Sequence, residues 1–188
     1  MKLEDLKEMT MRAGNLDRLA TAYVNLHKND WKMGEHVGDI EQFSVIKFNE
    51  FFSVWLNDEI ISSLKTIPTG DLIEVRNIWT SKKFRGQKIL SKLLWFLKTR
   101  MGYSKLLLGD VHSQDTQAIV KGGLSRFEKS WYKDGKKEKF SLDTLDKFYS
   151  YGKSTGWRIL LENDGDFSSW PKFTGSDWVR DNYEWQVE

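Results

Sequence analysis

The chain has 188 residues, a length that fits one domain, and its 39% hydrophobic and 14% aromatic residues suffice for a core. Its formal net charge of +2 is close to neutral, so it does not indicate a general affinity for nucleic acid. The absence of cysteine excludes disulfides, a thiol nucleophile and a cysteine-ligated zinc site. The three histidines (His27, His36 and His112) lack metal-ligand spacing, so we predict no metal site.

The sequence lacks the signals that direct a protein to a membrane. No apolar run is long enough to cross a bilayer, and the N-terminus, MKLEDLKEM, has mixed charge rather than the pattern of a signal peptide. Together with the absence of cysteine, these features predict a cytoplasmic protein without a membrane partner.

Residues 1–31 show helical periodicity in two stripes, separated at Gly14 and Asn15. We expect each stripe to be the buried face of a helix. The first stripe contains Leu3, Leu6 and Met9, and the second contains Leu16, Leu19, Ala20, Tyr23 and Leu26. Residues 32–40 lack a clear period, and we predict that they form a loop.

Residues 41–66 show the alternation of β-strands, with a hairpin that turns at Asn57 and Asp58. A further strand is predicted over residues 72–79. Because side chains alternate between the faces of a strand, Glu74 is expected on the same face as Leu72, Arg76 and Ile78.

A βαβ unit is the best supported part of the chain. The strand over residues 72–79 leads through a basic turn at 81–85 to a helix over 86–100 and a strand over 105–111. The two strands should therefore be parallel neighbours. The apolar stripe of the helix contains Ile89, Leu90, Leu93, Leu94 and Leu97, and the polar residues Lys88, Ser91, Lys92 and Lys98 fall mostly on the other side.

The start of this helix is rich in cations, namely Lys82, Lys83, Arg85 and Lys88. A helix N-terminus carries partial positive charge and normally favours acidic residues. Its backbone N–H groups bind phosphate well, so residues 85–90 are a candidate phosphate site. A solvated basic turn is the alternative interpretation, and the charges alone do not separate the two.

The C-terminal third contains shorter elements. Ser113 is a candidate N-cap for a helix over residues 114–127. Asp134 and Gly135 predict a hairpin turn, residues 142–151 a short helix and residues 157–162 a strand. Residues 152–188 contain too many large aromatic residues for a free tail, so we expect this segment to pack on the domain or to form a homo-oligomer contact. These aromatic residues include Trp170, Trp178, Tyr183 and Trp185.

Residues 78–97 resemble the central motif of the GNAT superfamily of N-acetyltransferases, Arg/Gln-x-x-Gly-x-Gly/Ala at the start of a helix that follows a strand. The corresponding window is Arg85-Gly86-Gln87-Lys88-Ile89-Leu90. Arg85 matches the motif, whereas Lys88 and Leu90 stand where the family has small residues. The resemblance implies an α/β fold with a mixed central sheet flanked by helices, forming a single domain over residues 1–188.

The resemblance also implies an activity, the transfer of an acetyl group from acetyl-CoA to an unknown amine acceptor. In the family, backbone amides of the motif hold the pyrophosphate of the cofactor, and the preceding strand pairs with its pantetheine arm. The residues implied for the pyrophosphate are Arg85, Gly86, Gln87, Lys88, Ile89 and Leu90, and those for the arm are Ile78, Trp79 and Thr80.

The acceptor ammonium must lose a proton before it attacks a thioester, so a general base is needed. The resemblance implies Glu74 or His112 as the base, although an ion pair with Arg76 explains Glu74 equally. Val120 stands where the family has a tyrosine that protonates the leaving thiolate. The candidates to replace that tyrosine are Ser113, His112 and Tyr132.

Three alternatives stay open from the sequence. The first is a catalytically silent GNAT-fold protein that binds or supports a partner. The second is a GNAT-fold enzyme that modifies nucleic-acid bases, which the basic residues 82–92 permit and the near-neutral net charge does not favour. The third is a partner-binding protein that acts through the Trp-rich C-terminus. The chain is also similar to small phage-encoded members of the superfamily, which would place it in a host cytoplasm.

Overall fold

The computed structural model describes residues 16–108, 124, 127–144 and 156–162. Predictions for residues 1–15, for His112 and Ser113, for the helix over 114–127 and for the aromatic segment after residue 162 lie outside this part of the chain. Within it are two α-helices, α1 (Leu16–Lys32) and α2 (Ile89–Thr99), and two 3-10 helices, Lys82–Phe84 and Leu142–Thr144. The strands are β1 (Glu35–Ile40), β2 (Phe43–Phe48), β3 (Phe51–Leu56), β4 (Glu59–Thr69), β5 (Leu72–Thr80), β6 (Leu106–Leu108), β7 (Lys129–Lys133), β8 (Lys136–Lys139) and β9 (Arg158–Leu161).

The strands described here form one sheet in the order β1-β2-β3-β4-β5-β6-β9-β7-β8. The β5–β6 pair is parallel, with Ile73 opposite Leu106 and Val75 opposite Leu108. The other pairs are antiparallel. The structure thus confirms the predicted βαβ unit and the mixed α/β sheet with flanking helices.

The two faces of the sheet are covered by different helices. The apolar side chains of α2 pack with those of β2–β6 and β9 into the main core cluster. On the opposite face, α1 contacts β2, β4 and β5, where Val24 and Trp31 pack against Trp55 and Ile60. No helix in the described ranges is both long enough and apolar enough to cross a membrane.

The predicted hairpins are present, and one predicted loop is wrong. Asn57 has a left-handed φ of 55°, which suits the tight turn between β3 and β4. Asp134 and Gly135 connect β7 and β8 in the same way. Residues 35–40, predicted as a loop, form the edge strand β1, whose register shifts between His36 and Gly38. That irregularity interrupts the alternation by which a strand is recognised in a sequence.

The prediction for α1 is correct in extent but wrong about its buried face. Val24 and Trp31 are buried, whereas Leu26 is 75% exposed and Tyr23 is 38% exposed. Trp31 stacks on the ring of Phe51 with a centroid distance of 4.9 Å. The large aromatic side chain therefore determines which side of α1 meets the sheet, although the leucines form the more regular stripe.

The prediction for α2 is wrong at its start and on its polar side. The helix begins at Ile89 rather than at residue 86. Lys92 and Lys98, expected in solvent, are buried. Lys92 Nζ lies 2.7 Å from Glu41 Oε1, and Lys98 Nζ donates to the carbonyl oxygens of Ser104 and Leu161. A lysine can be buried when its ammonium finds such partners, which periodicity does not reveal.

Candidate functional site

The basic turn after β5 is anchored at both ends. The N–H of Ser81 donates to the carbonyl of Ile61 on β4 at 2.9 Å, which fixes the end of β5. Phe84, the last residue of the 3-10 helix, is buried in the main core cluster. Residues 85–88 between this anchor and α2 are exposed. The turn therefore presents its polar residues to solvent from a fixed position.

Two residues of this exposed stretch have left-handed backbone conformations. Gly86 has a φ of 82°, and Lys88, directly before α2, has a φ of 58° and a ψ of 19°. Lys88 occupies the position of the first glycine in the motif that the sequence resembles. A conformation that glycine adopts without steric cost is thus imposed here on a residue with a side chain.

The N-terminus of α2 has the properties of an anion site. Lys88 makes no side-chain capping hydrogen bond, and the first turn contains no acidic residue. The first intrahelical bond runs from the N–H of Lys92 to the carbonyl of Lys88 at 3.0 Å, so the N–H groups of Ile89 and Leu90 precede it. The Leu90 side chain packs in the main core cluster. Backbone donors and nearby cations thus meet at the start of one helix.

The end of β5 is held by side chains that the sequence did not indicate. Ser62 on β4 is buried, and its Oγ donates to the carbonyl of Trp79 at 2.8 Å and lies 3.0 Å from Thr80 Oγ1. Arg85 Nε donates to the carbonyl of Thr80 at 3.1 Å. Two of the carbonyls predicted to face a pantetheine arm therefore already accept a hydrogen bond from within the chain.

A β-bulge in β5 interrupts the alternation of its side chains that the sequence predicts. Arg76 lies opposite Lys65 and Trp79 opposite Ser63, so two residues of β5 face one of β4. Asn77 has a φ of 51°, the left-handed conformation found at many bulges. Beyond the bulge, Ile78 packs with the core on the α2 face. The prediction that Ile78 shares a face with Glu74 is therefore wrong.

Glu74 is buried and is the centre of an ion-pair cluster with two partly exposed arginines. Its side chain is 6% exposed, and its Oε1 lies 2.8 Å from Arg76 Nη2 and accepts a hydrogen bond from Arg158 Nη1 on β9. The pairing with Arg76 is one of the two interpretations made from the sequence, and it is present. Arg158 was missed, because nothing in the sequence places β9 beside β6. The role of Glu74 as a base stays a prediction.

Tyr132 lies on the same sheet face as Glu74 but at a distance. It is opposite Arg158 in the β7–β9 register and packs against Leu72, Leu107 and Leu160. Strands β6 and β9 separate β7 from β5, so the two backbones are about 14 Å apart at the usual interstrand spacing. The structure thus brings Glu74, Arg158 and Tyr132 to one face, with Arg158 between the other two.

An ion pair fixes the amino ends of the two parallel strands. Asp71 precedes β5, Lys105 precedes β6, and Lys105 Nζ lies 2.7 Å from Asp71 Oδ2. The hydrogen bond and the charge of Lys105 lower the pKa of Asp71. The N–H of Ile73 also donates to the carbonyl of Lys105 at 3.0 Å. These contacts align β5 with β6, and the opposite end of β5 leads to the exposed turn.

A comparison with protein-family models finds no match for the sequence, and a comparison with curated proteins finds none either. Among solved structures, the chain is similar to an IAA acetyltransferase from Bacillus cereus ATCC 14579, at 19% identity over 64% of this chain and 78% of that chain, with a TM-score of 0.37. It is similar to a GNAT-family acetyltransferase from Staphylococcus aureus Mu50, at 13% identity over 78% and 80% of the two chains, with a TM-score of 0.41. A Bacillus subtilis acetyltransferase in complex with CoA has 12% identity over 86% and 93%, with a TM-score of 0.37. The solved structures to which this chain is similar are thus acetyltransferases, including one described as a GNAT-family member.

Proposed function

We propose that this protein is an acyl-CoA-dependent N-acyltransferase that transfers an acetyl group from acetyl-CoA to an amine acceptor. The observation that carries the proposal is the start of α2, where an uncapped helix without acidic residues in its first turn follows a cationic, exposed turn. In this proposal acetyl-CoA is the donor substrate, and its thioester supplies the activated acyl group.

The residues at the start of α2 fit a diphosphate. Within the described residues, a Cβ added at Gly86 would meet no heavy atom within 4 Å, so the turn leaves open space there. Arg85 and Lys88 are exposed on either side of it, and the N–H groups of Ile89 and Leu90 lie at the helix start. Hydrogen bonds from charged donors to phosphate are about twice as strong as neutral ones. We infer that these residues hold the two phosphates, with Gln87 beside them.

The roles of the other residues belong to the same proposal. The strand end formed by Ile78, Trp79 and Thr80 would run alongside the pantetheine arm. Glu74 or His112 would accept the proton of the acceptor ammonium. Tyr132, Ser113 or His112 would return a proton to the leaving thiolate. Because Glu74 Oε1 is engaged by two arginines, the contribution of Glu74 would depend on how Arg76 and Arg158 hold its carboxylate.

Calorimetric titration with acetyl-CoA tests the proposed phosphate site. We expect binding by the native chain, and a loss of affinity of about tenfold or more in Arg85→Glu and in Lys88→Glu, because each change puts a negative charge beside the phosphates. The matched control is Lys139→Glu, which makes the same change of charge at an exposed position on β8. Absence of binding to the native chain, or equal losses in all three variants, would refute the site.

The second candidate is a silent acyl-CoA-binding protein on the same fold. The observation in its favour is Glu74, a candidate base that is already held in an ion-pair cluster. The two functions separate in a transfer assay that measures free thiol released from acetyl-CoA with a panel of amines. Binding of acetyl-CoA without acceptor-dependent thiol release would favour the silent protein, and release that depends on an amine would favour the enzyme.

A further inference from the structure

The side chain of Thr80, the last residue of β5, lies on the same face of the sheet as α2. Thr80 is directly opposite Ser62 on β4, and Ser62 is opposite Val54 on β3, so the three side chains form one cross-strand row. Val54 packs in the main core cluster with the apolar side chains of α2, and Ser62 is completely buried. Thr80 is the half-buried end of this row. Its hydroxyl thus stands where β5 leads into the cationic turn.

The protons of the two hydroxyls can be assigned from their contacts. Ser62 Oγ lies 2.8 Å from the carbonyl oxygen of Trp79, which can only accept, so the proton of the Ser62 hydroxyl is donated there. Ser62 Oγ also lies 3.0 Å from Thr80 Oγ1. Because Ser62 has no second proton to donate, the Thr80 hydroxyl is the donor in this contact. Thr80 Oγ1 therefore offers only its lone pairs to a further partner and acts as an acceptor.

The backbone carbonyl of Thr80 already has a donor. The N–H of Ser81 donates to the carbonyl of Ile61 on β4. Because the backbone groups of successive residues point to opposite sides of a strand, those of Thr80 point away from β4. On that side the Thr80 carbonyl accepts a hydrogen bond from Arg85 Nε at 3.1 Å. The hydroxyl oxygen is thus an acceptor beside a carbonyl that is already engaged.

We propose that Ser62 is a positioning residue for the acyl-CoA substrate, which fixes Thr80 Oγ1 as an acceptor for an amide N–H of the pantetheine arm. The inference rests on the proposed function, in which the end of β5 runs alongside that arm. Amide N–H groups lose hydrogen bonds to water when the arm is bound, so they need acceptors from the protein. An acceptor whose orientation is fixed before binding costs less to order than a hydroxyl that rotates freely. Ser62, which is buried, acts through Thr80.

The chain offers a matched control for Ser62. Ser53 on β3 is likewise buried, and its Oγ donates to the carbonyl of Ile46 at 3.2 Å and accepts a hydrogen bond from Trp55 Nε1 at 2.8 Å. Each serine thus donates to a carbonyl and accepts from a side chain. The contacts of Ser53 connect β2 with β3, whereas those of Ser62 hold the end of β5.

Calorimetric titration of the full chain with acetyl-CoA tests the role of Ser62. Ser62→Ala and Thr80→Val should each weaken binding about fivefold, which corresponds to the loss of one hydrogen bond. Thr80→Ser keeps the hydroxyl and should bind within about twofold of the native chain. Ser53→Ala should bind like the native chain, although it loses a buried hydroxyl of the same kind. In Ser62→Ala/Thr80→Val the loss should be no larger than in Thr80→Val alone, because Ser62 acts through the Thr80 hydroxyl.

Three results would overturn this inference and leave the proposed function intact. Native affinity in Ser62→Ala and Thr80→Val would show that the hydroxyl accepts nothing from the arm. Equal losses in Ser62→Ala and Ser53→Ala would reduce Ser62 to a packing role. Additive losses in the double variant would mean that Ser62 does not act through Thr80. Absence of binding to the native chain would instead refute the proposed function, and this inference with it.

Discussion

At Lys88 the chain places a charged side chain on a backbone conformation that suits glycine. A left-handed φ brings the Cβ of an L-residue close to the following carbonyl and costs about 1–2 kcal/mol. Local strain at a surface position persists where the surrounding structure imposes it. Here the strained residue lies in the short connection between buried Phe84 and the buried first turn of α2. Lys88 adds a cation at the phosphate site that we propose, so the attraction between this charge and a phosphate would offset the cost of the strain.

This strain predicts the effect of a substitution. Lys88→Gly should raise the free energy of unfolding by about 0.5–1 kcal/mol, because glycine adopts the left-handed conformation without the Cβ contact. Lys88→Ala is the matched control, since it removes the charge but keeps the Cβ and should bring no such gain. Urea denaturation of the three chains measures both changes. Equal gains in the glycine and alanine variants would attribute the effect to charge.

The sequence revealed some of these residues and not others. Arg85 and Lys88 were predicted because cations at a helix start are recognisable within a few residues. Ser62 and Arg158 were not predicted, since each acts on β5 from another strand, and their contacts appear only when the strand order is known. Local chemistry could thus be predicted, while contacts between distant segments could not.

At the level of elements, Glu74 joins two strands that are not neighbours. It lies on β5, its partner Arg158 lies on β9, and β6 runs between them. An ion pair of this kind connects the antiparallel β1–β5 portion of the sheet to the β6–β9 portion. Removing one member of a buried pair leaves the other charge without its partner.

We therefore expect Glu74→Gln to lower the free energy of unfolding by about 2 kcal/mol, less than for a fully buried pair because Arg158 is partly exposed. The matched control is Glu59→Gln, which removes an exposed ion pair with Lys83 and should change stability by about 0.5 kcal/mol or less. Urea denaturation measures both, and adding Arg158→Met tests the coupling. Equal effects of the two glutamate variants would contradict a structural role for the cluster.

The elements themselves were predicted where periodicity and turn residues agreed, as in the β3–β4 hairpin and the βαβ unit. The errors fall where packing overrides the pattern. In α1 the burial of Trp31, rather than the regular leucine stripe, sets the side of the helix that meets the sheet. In β5 the bulge at Asn77 moves each following side chain to the opposite face of the sheet. A single inserted residue reverses the face of every later side chain, and the sequence gives no signal for it.

For the whole molecule, Lys129 links stability to pH. Desolvation by burial lowers the pKa of Lys129 from its usual value of 10.5. Its Nζ donates to the carbonyls of Leu124 at 2.6 Å and Phe127 at 2.8 Å. Because the folded state binds this proton less tightly than the unfolded state, the free energy of unfolding should rise as pH increases from the folded pKa toward 10.5.

This rise should disappear in Lys129→Met, whose free energy of unfolding should depend less on pH over the same range. The control is Lys139→Met, which removes an exposed lysine on β8 and should retain the slope of the native chain. Urea denaturation at several pH values between neutral and 10 measures the three slopes. Parallel pH dependences of Lys129→Met and the native chain would contradict the linkage.

The strand order divides the cost of loop closure unevenly along the chain. Strands β1 to β5 follow one another in both the sequence and the sheet, so each pairing closes only a short connection. Strand β6, by contrast, ends at Leu108, and its antiparallel neighbour β9 begins only at Arg158. Since closure entropy grows with the length of the intervening chain, the pairings among β1 to β5 should form locally, as should the β7–β8 hairpin. The costly closures are the pairings of β9 with β6 and with that hairpin.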